Sequence, residues 1–268
     1  VGKLMSSHSG LEMISFTGST RAGIDIQKNA ADNVKRVSLE LGGKSPNIIL
    51  DDVDLEQAVN MGMKQCFFNT GQSCSAPTRM LVPQNLMEQA TEIAVAAASE
   101  MITGDPKEED TFLGPISNEK QFKKVQELIQ IGIDEGAELS CGGVGRPDGM
   151  KKGFYVKPTV FSNVVNSMQI AKEEIFGPVI CLIGYSNIEE AIDIANDTPY
   201  GLSSMISCGD LNKGQQIAKR IRSGQVILNR ISRGDYPAPF GGFKMSGNGR
   251  EHGLFGIDEY LEVQAVIT

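Results

Sequence analysis

Short runs of β-branched and aliphatic residues alternate along this chain with longer segments of helical period, and that alternation constrains the fold more than any other feature. Asn47-Ile48-Ile49-Leu50, Arg79-Met80-Leu81-Val82, Val179-Ile180-Cys181-Leu182-Ile183 and Gln225-Val226-Ile227-Leu228 read as strands. Between the first two, Leu55, Ala58, Val59, Gly62 and Cys66 recur at helical spacing. Asp54 with Gln57 three residues later makes a capping box for that helix, which is expected to end near Asn69-Thr70-Gly71. Further helices are expected over 86–101, around Phe122, Val125, Leu128 and Ile129, over 188–195 and over 211–221. The class is α/β, with a parallel-rich sheet between helices. The Gly-rich stretch 142–152, carrying Pro147, reads as an exposed turn region.

The 268 residues are 40% hydrophobic and 22% charged, enough to bury a sizeable core. The net charge of -8, spread along the chain, argues against nucleic acid or an anionic membrane as partner. No apolar run approaches the roughly 20 residues that span a bilayer, and no basic-then-apolar leader opens the chain, so a soluble, cytoplasmic protein is expected. Five cysteines, at 66, 74, 141, 181 and 208, include no C-x-x-C pair and fit neither a disulfide framework nor a zinc site. His8 and His252 stand outside any metal-ligand pattern, so no metal is expected.

Three segments carry chemistry. Leu11 to Gly23 reads as a strand entering Gly18-Ser19-Thr20 and then a helix; it is either a plain capped turn or a phosphate-binding helix start, with amides near Gly18 and Ser19 facing outward. Val37 to Pro46 sets one carboxylate, Glu40, in a strand-like run ending in Gly42-Gly43. Glu40 either faces solvent alongside Ser38 or acts as a general base at a strand's carboxyl end. Asn69 to Arg79 puts Cys74 in a small, polar loop after a helix and before a strand, where a thiol can react. Cys66 and Cys181, by contrast, fall on apolar positions and read as packing, and Cys141 and Cys208 read as inert thiols.

FTGSTRAG, LELGGKSPNIIL, NTGQSCSAPTR, KEEIFGPV and PFGGFKMSGNGRE, in this order and spacing, resemble the aldehyde dehydrogenase superfamily over essentially the whole chain. The resemblance implies that Cys74 is the nucleophile and Glu40 the base, that Gly18 and Ser19 lie against a cofactor pyrophosphate, and that the Leu41 carbonyl holds the nicotinamide amide. It also implies that Glu174 and Phe176 position the nicotinamide ribose and ring, that Gln121 and Lys124 contact the adenosine side, and that Phe240 lines an aldehyde tunnel. The cofactor is NAD or NADP, with NAD favoured, and the substrate a small-molecule aldehyde.

The same resemblance divides the chain into a remnant of the NAD(P)-binding domain (1–42), a catalytic domain (43–245), and a return segment with an oligomerisation strand (246–268) serving a homodimer or homotetramer. The chain opens at Val1-Gly2 without an initiator methionine, and only a strand, a helix and a strand precede residue 46, so it is expected to be cut from something longer and to turn over little alone. Two other readings compete with it. One is a cysteine hydrolase or acyl transferase using Cys74 and Glu40 without nicotinamide, which would not need FTGST or EIFGP; the other is a non-catalytic scaffold assembled through 260–266.

Overall fold

The computed structural model describes residues 1–231 and 236–268. A short helix, α1 (Gly2–Ser7), leads into β1 (Met13–Thr17), α2 (Thr20–Ala30) and β2 (Arg36–Glu40). Next come β3 (Pro46–Ile49), α3 (Leu55–Phe67), β4 (Arg79–Pro83), α4 (Met87–Glu100), α5 (Glu119–Asp134) and β5 (Glu138–Cys141). Then follow β6 (Thr159–Ser162), α6 (Gln169–Lys172), β7 (Val179–Tyr185), α7 (Ile188–Asn196), β8 (Ser203–Ser207), α8 (Leu211–Ala218), β9 (Gln225–Leu228), β10 (Gly247–Asn248) and α9 (Gly253–Asp258).

Among the described residues the strands form two sheets. The larger runs β5-β6-β7-β4-β3-β8-β9 and the smaller β1-β2-β10. Every pairing in the larger sheet is parallel except β5 with β6, as the buried, continuously apolar strands predict. Ala58, Val59, Met63, Cys66 and Phe67 of α3 and Ala90, Ala94 and Ala98 of α4 cover one face. Val125, Leu128 and Ile129 of α5, Ala191 and Ile192 of α7 and Ile217 of α8 cover the other. Burying a side chain such as Phe67 or Leu128 stabilises such a core by about 1.5–3 kcal/mol.

The helix signals act locally as the sequence predicts. The Asp54 carboxylate accepts from the Gln57 amide at 3.0 Å and starts α3. After α3 the chain turns through left-handed Asn69 (φ 51°) and Thr70 (φ 59°), which breaks the helix and releases the Cys74 loop. The 142–152 stretch turns on positive φ at Gly142, Gly143, Gly145 and Gly149.

The third segment begins at the small sheet. Its start, β10, pairs antiparallel with β2 and so completes the small sheet begun by β1 and β2. Within this single chain the run 260–266 pairs with no strand among the described residues. Val263, Val266 and Ile267 stand almost fully exposed.

Candidate active site

The two sheets meet end to end at the site. Glu40 is the last residue of β2, at a carboxyl end; Gly42 to Ser45 then enters the amino end of β3, and the Cys74 loop enters the amino end of β4 beside it.

Glu40 does not face solvent, which corrects that alternative. Its residue is 3% exposed, and neither carboxylate oxygen has a hydrogen-bond partner among the described residues. Burial, reinforced by the Glu251 and Glu259 carboxylates and opposed by Arg250, pushes its pKa up to about 8. In its ionised form a carboxyl with that proton affinity is a stronger base than an ordinary glutamate. The charges beside it come from the return segment, where the Phe240 and Glu251 backbones bond in both directions at 2.7 Å.

Cys74 is half-buried in a loop tied down on several sides. Thr70 donates to the Gly114 carbonyl at 3.2 Å, and the Gln72 side-chain oxygen accepts from the Ser117 amide at 2.8 Å. Burial first, then the nearby Glu174 and Glu40 carboxylates, raise the Cys74 thiol above its ordinary range. Beneath the loop, a Cβ on Gly43 would stand 2.5 Å from the Cys74 carbonyl oxygen, so only glycine fits there. Cys66 and Cys181 are fully buried with thiols raised by burial, in keeping with a packing role, and Cys141 and Cys208 are likewise raised by burial.

Glu174 lies on the opposite side of the same glycines. It accepts from the Gly43 amide at 3.1 Å, and its carboxylate fills the space where a Gly42 Cβ would be, 2.3 Å away. Phe176, two residues on, holds a left-handed φ of 57°, unusual for an aromatic residue and a mark of a tightly determined turn. Gln121 donates to the Ile175 and Phe176 carbonyls at 2.8 and 3.1 Å, and Lys124 to the Glu174 carbonyl at 2.7 Å. In this structure, therefore, these two side chains brace the 174–176 turn instead of pointing to an adenosine; their spacing, three apart on α5, aims both at one strip of backbone.

At the small sheet, Ser19 caps α2, its hydroxyl accepting from the Ala22 amide at 3.3 Å. Gly18 departs from its expected role, because its N–H is taken by the Glu40 carbonyl at 3.0 Å and cannot face a phosphate. The helix opening thus begins at Ser19. Leu41 is buried, donating its amide to the Ser246 carbonyl at 2.9 Å, with its side chain packed over Gly23. Phe240 sits half-buried with its ring 5.8 Å from that of His252.

Sequence reasoning missed Arg250 and Glu251, whose effect on Glu40 depends on a contact across more than 200 positions. It also passed over Arg79, which opens a strand yet is fully buried, donating to the Lys44, Ile194 and Ala195 carbonyls at 3.0, 2.7 and 2.9 Å and to Asn166 at 3.1 Å. A cation at the head of an apolar strand was the available signal. Among the described residues no cluster of His, Cys, Asp and Glu could hold a metal, and no helix is long and apolar enough to cross a membrane.

A loop cysteine thus lies close enough to a buried carboxylate for each charge to bear on the other, at the link from the small sheet to the large one. Residues 1–266 match the aldehyde dehydrogenase family, and the chain belongs to that family. It is 51% identical over 267 residues to a 3-succinoylsemialdehyde-pyridine dehydrogenase from a Pseudomonas species, covering 100% of this chain and 56% of that protein. The fold superposes with a TM-score of 0.96 and 54% identity on an aldehyde dehydrogenase of Pseudomonas syringae, solved as a Cys-to-Ala mutant with NAD+ and octanal. That match covers 97% of this chain and 54% of the other. A Mycobacterium tuberculosis aldehyde dehydrogenase bound to NAD+ gives 0.92 and 42%, over 96% of this chain and 52% of that one. The chain thus spans about half the length of the relatives it matches.

Proposed function

We propose that this chain carries the catalytic part of an enzyme that oxidises an aldehyde to a carboxylic acid with NAD(P), Cys74 acting as nucleophile and Glu40 as base. The observation that carries the reading is the placement of Glu40: a buried carboxyl without hydrogen-bond partners, held near pKa 8 at the strand end that faces the Cys74 loop. The NAD+ complexes of related enzymes favour NAD as cofactor. The octanal bound to one relative favours an apolar-tolerant tunnel, with Phe240 in its wall.

The steps follow from the residues. Glu40 takes the Cys74 proton, and the sulfur adds to the aldehyde carbon, leaving an alkoxide that the Cys74 amide can stabilise. The nicotinamide, when bound, supplies the hydride acceptor. The Ser19 helix start suits its pyrophosphate, and Glu174, Phe176 and the Leu41 carbonyl fit its ribose, ring and amide. Loss of hydride leaves a thioester on Cys74. Glu40 passes the proton taken from Cys74 to solvent and then takes one from water as the water oxygen bonds to the acyl carbon; the carbon–sulfur bond breaks to release the acid, and that proton returns from Glu40 to the sulfur to regenerate the thiol.

We further read residues 1–42 as part of the nucleotide-binding domain, 43–245 as the catalytic domain and 246–268 as the return and assembly segment. A homodimer or homotetramer acting in the cytoplasm is the matching assembly. The test is turnover of NAD+ with a medium-chain aldehyde by a catalytically competent form of the protein. Cys74→Ala is expected to lose it by at least about 10³-fold, as for other removed nucleophiles, and near-normal turnover by that variant rejects the assignment.

A further inference from the structure

Neither oxygen of the Glu40 carboxyl is held by a hydrogen bond among the described residues, so packing decides where it points. That packing converges on Gly241. A Cβ there would stand 2.8 Å from Glu40 Oε1, 2.7 Å from the Gly249 carbonyl oxygen and 2.9 Å from Arg250 Cδ, so the three crowd a single point. Only glycine admits the base and the Gly249–Arg250 step this close to one another. Any movement of that step therefore moves the wall against which the carboxyl rests.

The step is fastened from two sides. Toward the 240–243 backbone, Arg250 donates through Nη1 to the Gly242 carbonyl at 3.2 Å, and its guanidinium lies 5.4 Å over the Phe243 ring. From the other side comes Glu259, the residue that follows α9. Its carboxylate accepts from the Arg250 N–H at 3.0 Å, and its Cδ lies 3.4 Å from where a Gly249 Cβ would stand. Such a charge-assisted bond to a backbone amide is about twice as strong as a neutral one. Glu259 is anchored in turn to β2, where Arg36 donates to its carbonyl at 2.6 Å and to the Leu261 carbonyl at 3.1 Å. β10 itself contributes only two residues of pairing, Gly247 with Glu40 and Asn248 with Leu39, less than an ordinary strand. The ladder therefore stops short of Arg250, and the Glu259 bond takes over where it ends.

We propose that Glu259 is a positioning residue for the base: by taking the Arg250 amide, its carboxylate holds the Gly249–Arg250 step against Gly241 and so fixes the direction of the Glu40 carboxyl. Glu259 acts through the backbone and not on the reacting atoms. The inference rests on Glu40 being the base of the proposed reaction, and it gives the residue after α9 a part in the rate of that reaction.

The test measures turnover of NAD+ with an aliphatic aldehyde by a catalytically competent form of the protein, together with the fraction of Cys74 that carries an acyl group in the steady state, read by peptide mass spectrometry after quenching. Glu259→Ala removes the acceptor. It is expected to lower kcat severalfold at unchanged KM for NAD+ while the acylated fraction rises, because the Cys74 thiol can also lose its proton to solvent whereas the attacking water depends on a base placed beside it. Glu259→Gln keeps a side-chain oxygen for the Arg250 amide and is expected to restore most of kcat and the parental acyl level. A merely structural role would lower kcat through loss of folded protein without raising the acylated fraction. The positioning role is overturned by a Glu259→Ala enzyme indistinguishable from the parent, by a fall in kcat with no rise in acylated Cys74, or by Glu259→Gln as impaired as Glu259→Ala. If Glu259→Ala does not fold, Glu259→Met, of similar length and without the carboxylate, is held to the same outcomes. Glu40→Gln measured alongside separates the two claims. Acyl-Cys74 trapped in that variant with a parent-like Glu259→Ala rejects the positioning role alone, whereas steady turnover by Glu40→Gln rejects the functional reading and the positioning role with it.

Discussion

Gly43→Ala is the smallest change that tests how the Cys74 loop is positioned. The added methyl would stand 2.5 Å from the Cys74 carbonyl oxygen and 3.3 Å from the Leu202 Cβ. Ordinary contact at that oxygen needs close to an ångström more. The first neighbour is backbone and cannot rotate away, so the loop itself must move by roughly that amount. Overpacking of this kind costs about 1–3 kcal/mol of stability. An ångström of misplacement at a reacting group costs on the order of 10²-fold in rate, equivalent to about 2.7 kcal/mol of barrier. Thermal unfolding of the chain measures the first quantity, and aldehyde turnover by a competent form of the protein measures the second. The expected pattern is a modest fall in melting temperature with a disproportionate loss of kcat. A variant with unchanged melting and at least half the parental kcat would refute the close approach of Gly43 to the Cys74 carbonyl.

Other expectations follow from the buried charges. Glu40 holds its proton more tightly folded than unfolded, so between the ordinary glutamate value of 4.5 and about 8 the native state binds the extra proton. Stability contributed by the protonated form is therefore present below that window and lost as pH rises through it. Glu40→Gln should melt higher than the parent at pH 8.5, by on the order of 2 kcal/mol after solvent screening, with the gap closing toward pH 5; a gap that widens on acidification contradicts this sign. Arg79→Met leaves three backbone carbonyls and Asn166 without their donor in a dry interior, and denaturant titration should show a loss of about 3–5 kcal/mol. Asp54→Ala removes the α3 cap and should cost about 1 kcal/mol by the same titration, with Cys74 alkylation unaltered.

The large sheet was legible in the sequence because each strand is short, apolar and bounded by a helix with its own cap, as at Asp54, so local pattern and global fold agree. Cys74 and Glu40 were legible as chemistry in the wrong place for packing: a thiol in a polar loop and a carboxylate in an apolar strand. Long-range consequences were not. Nothing near Gly18 announces that its N–H will be spent on the Glu40 carbonyl, and nothing near Arg250 and Glu251 announces that β10 will carry them to β2. Gln121 and Lys124 show the same limit. Their spacing on α5 is visible, but which backbone lies under that face is decided by a turn 50 residues away.

The pairing of Cys74 with Glu40 is tested most directly by what becomes attached to Cys74 during turnover. In a competent form of the protein carrying Glu40→Gln, incubation with NAD+ and an aliphatic aldehyde should give about one NADH per site, formed more slowly than by the parent because Cys74 has lost its base, and then stop, because water is no longer activated. Mass spectrometry of the quenched protein should place the acyl group on the Cys74 peptide. Steady turnover by this variant, or NADH formed with Cys74 unmodified, would contradict the pairing of Cys74 and Glu40.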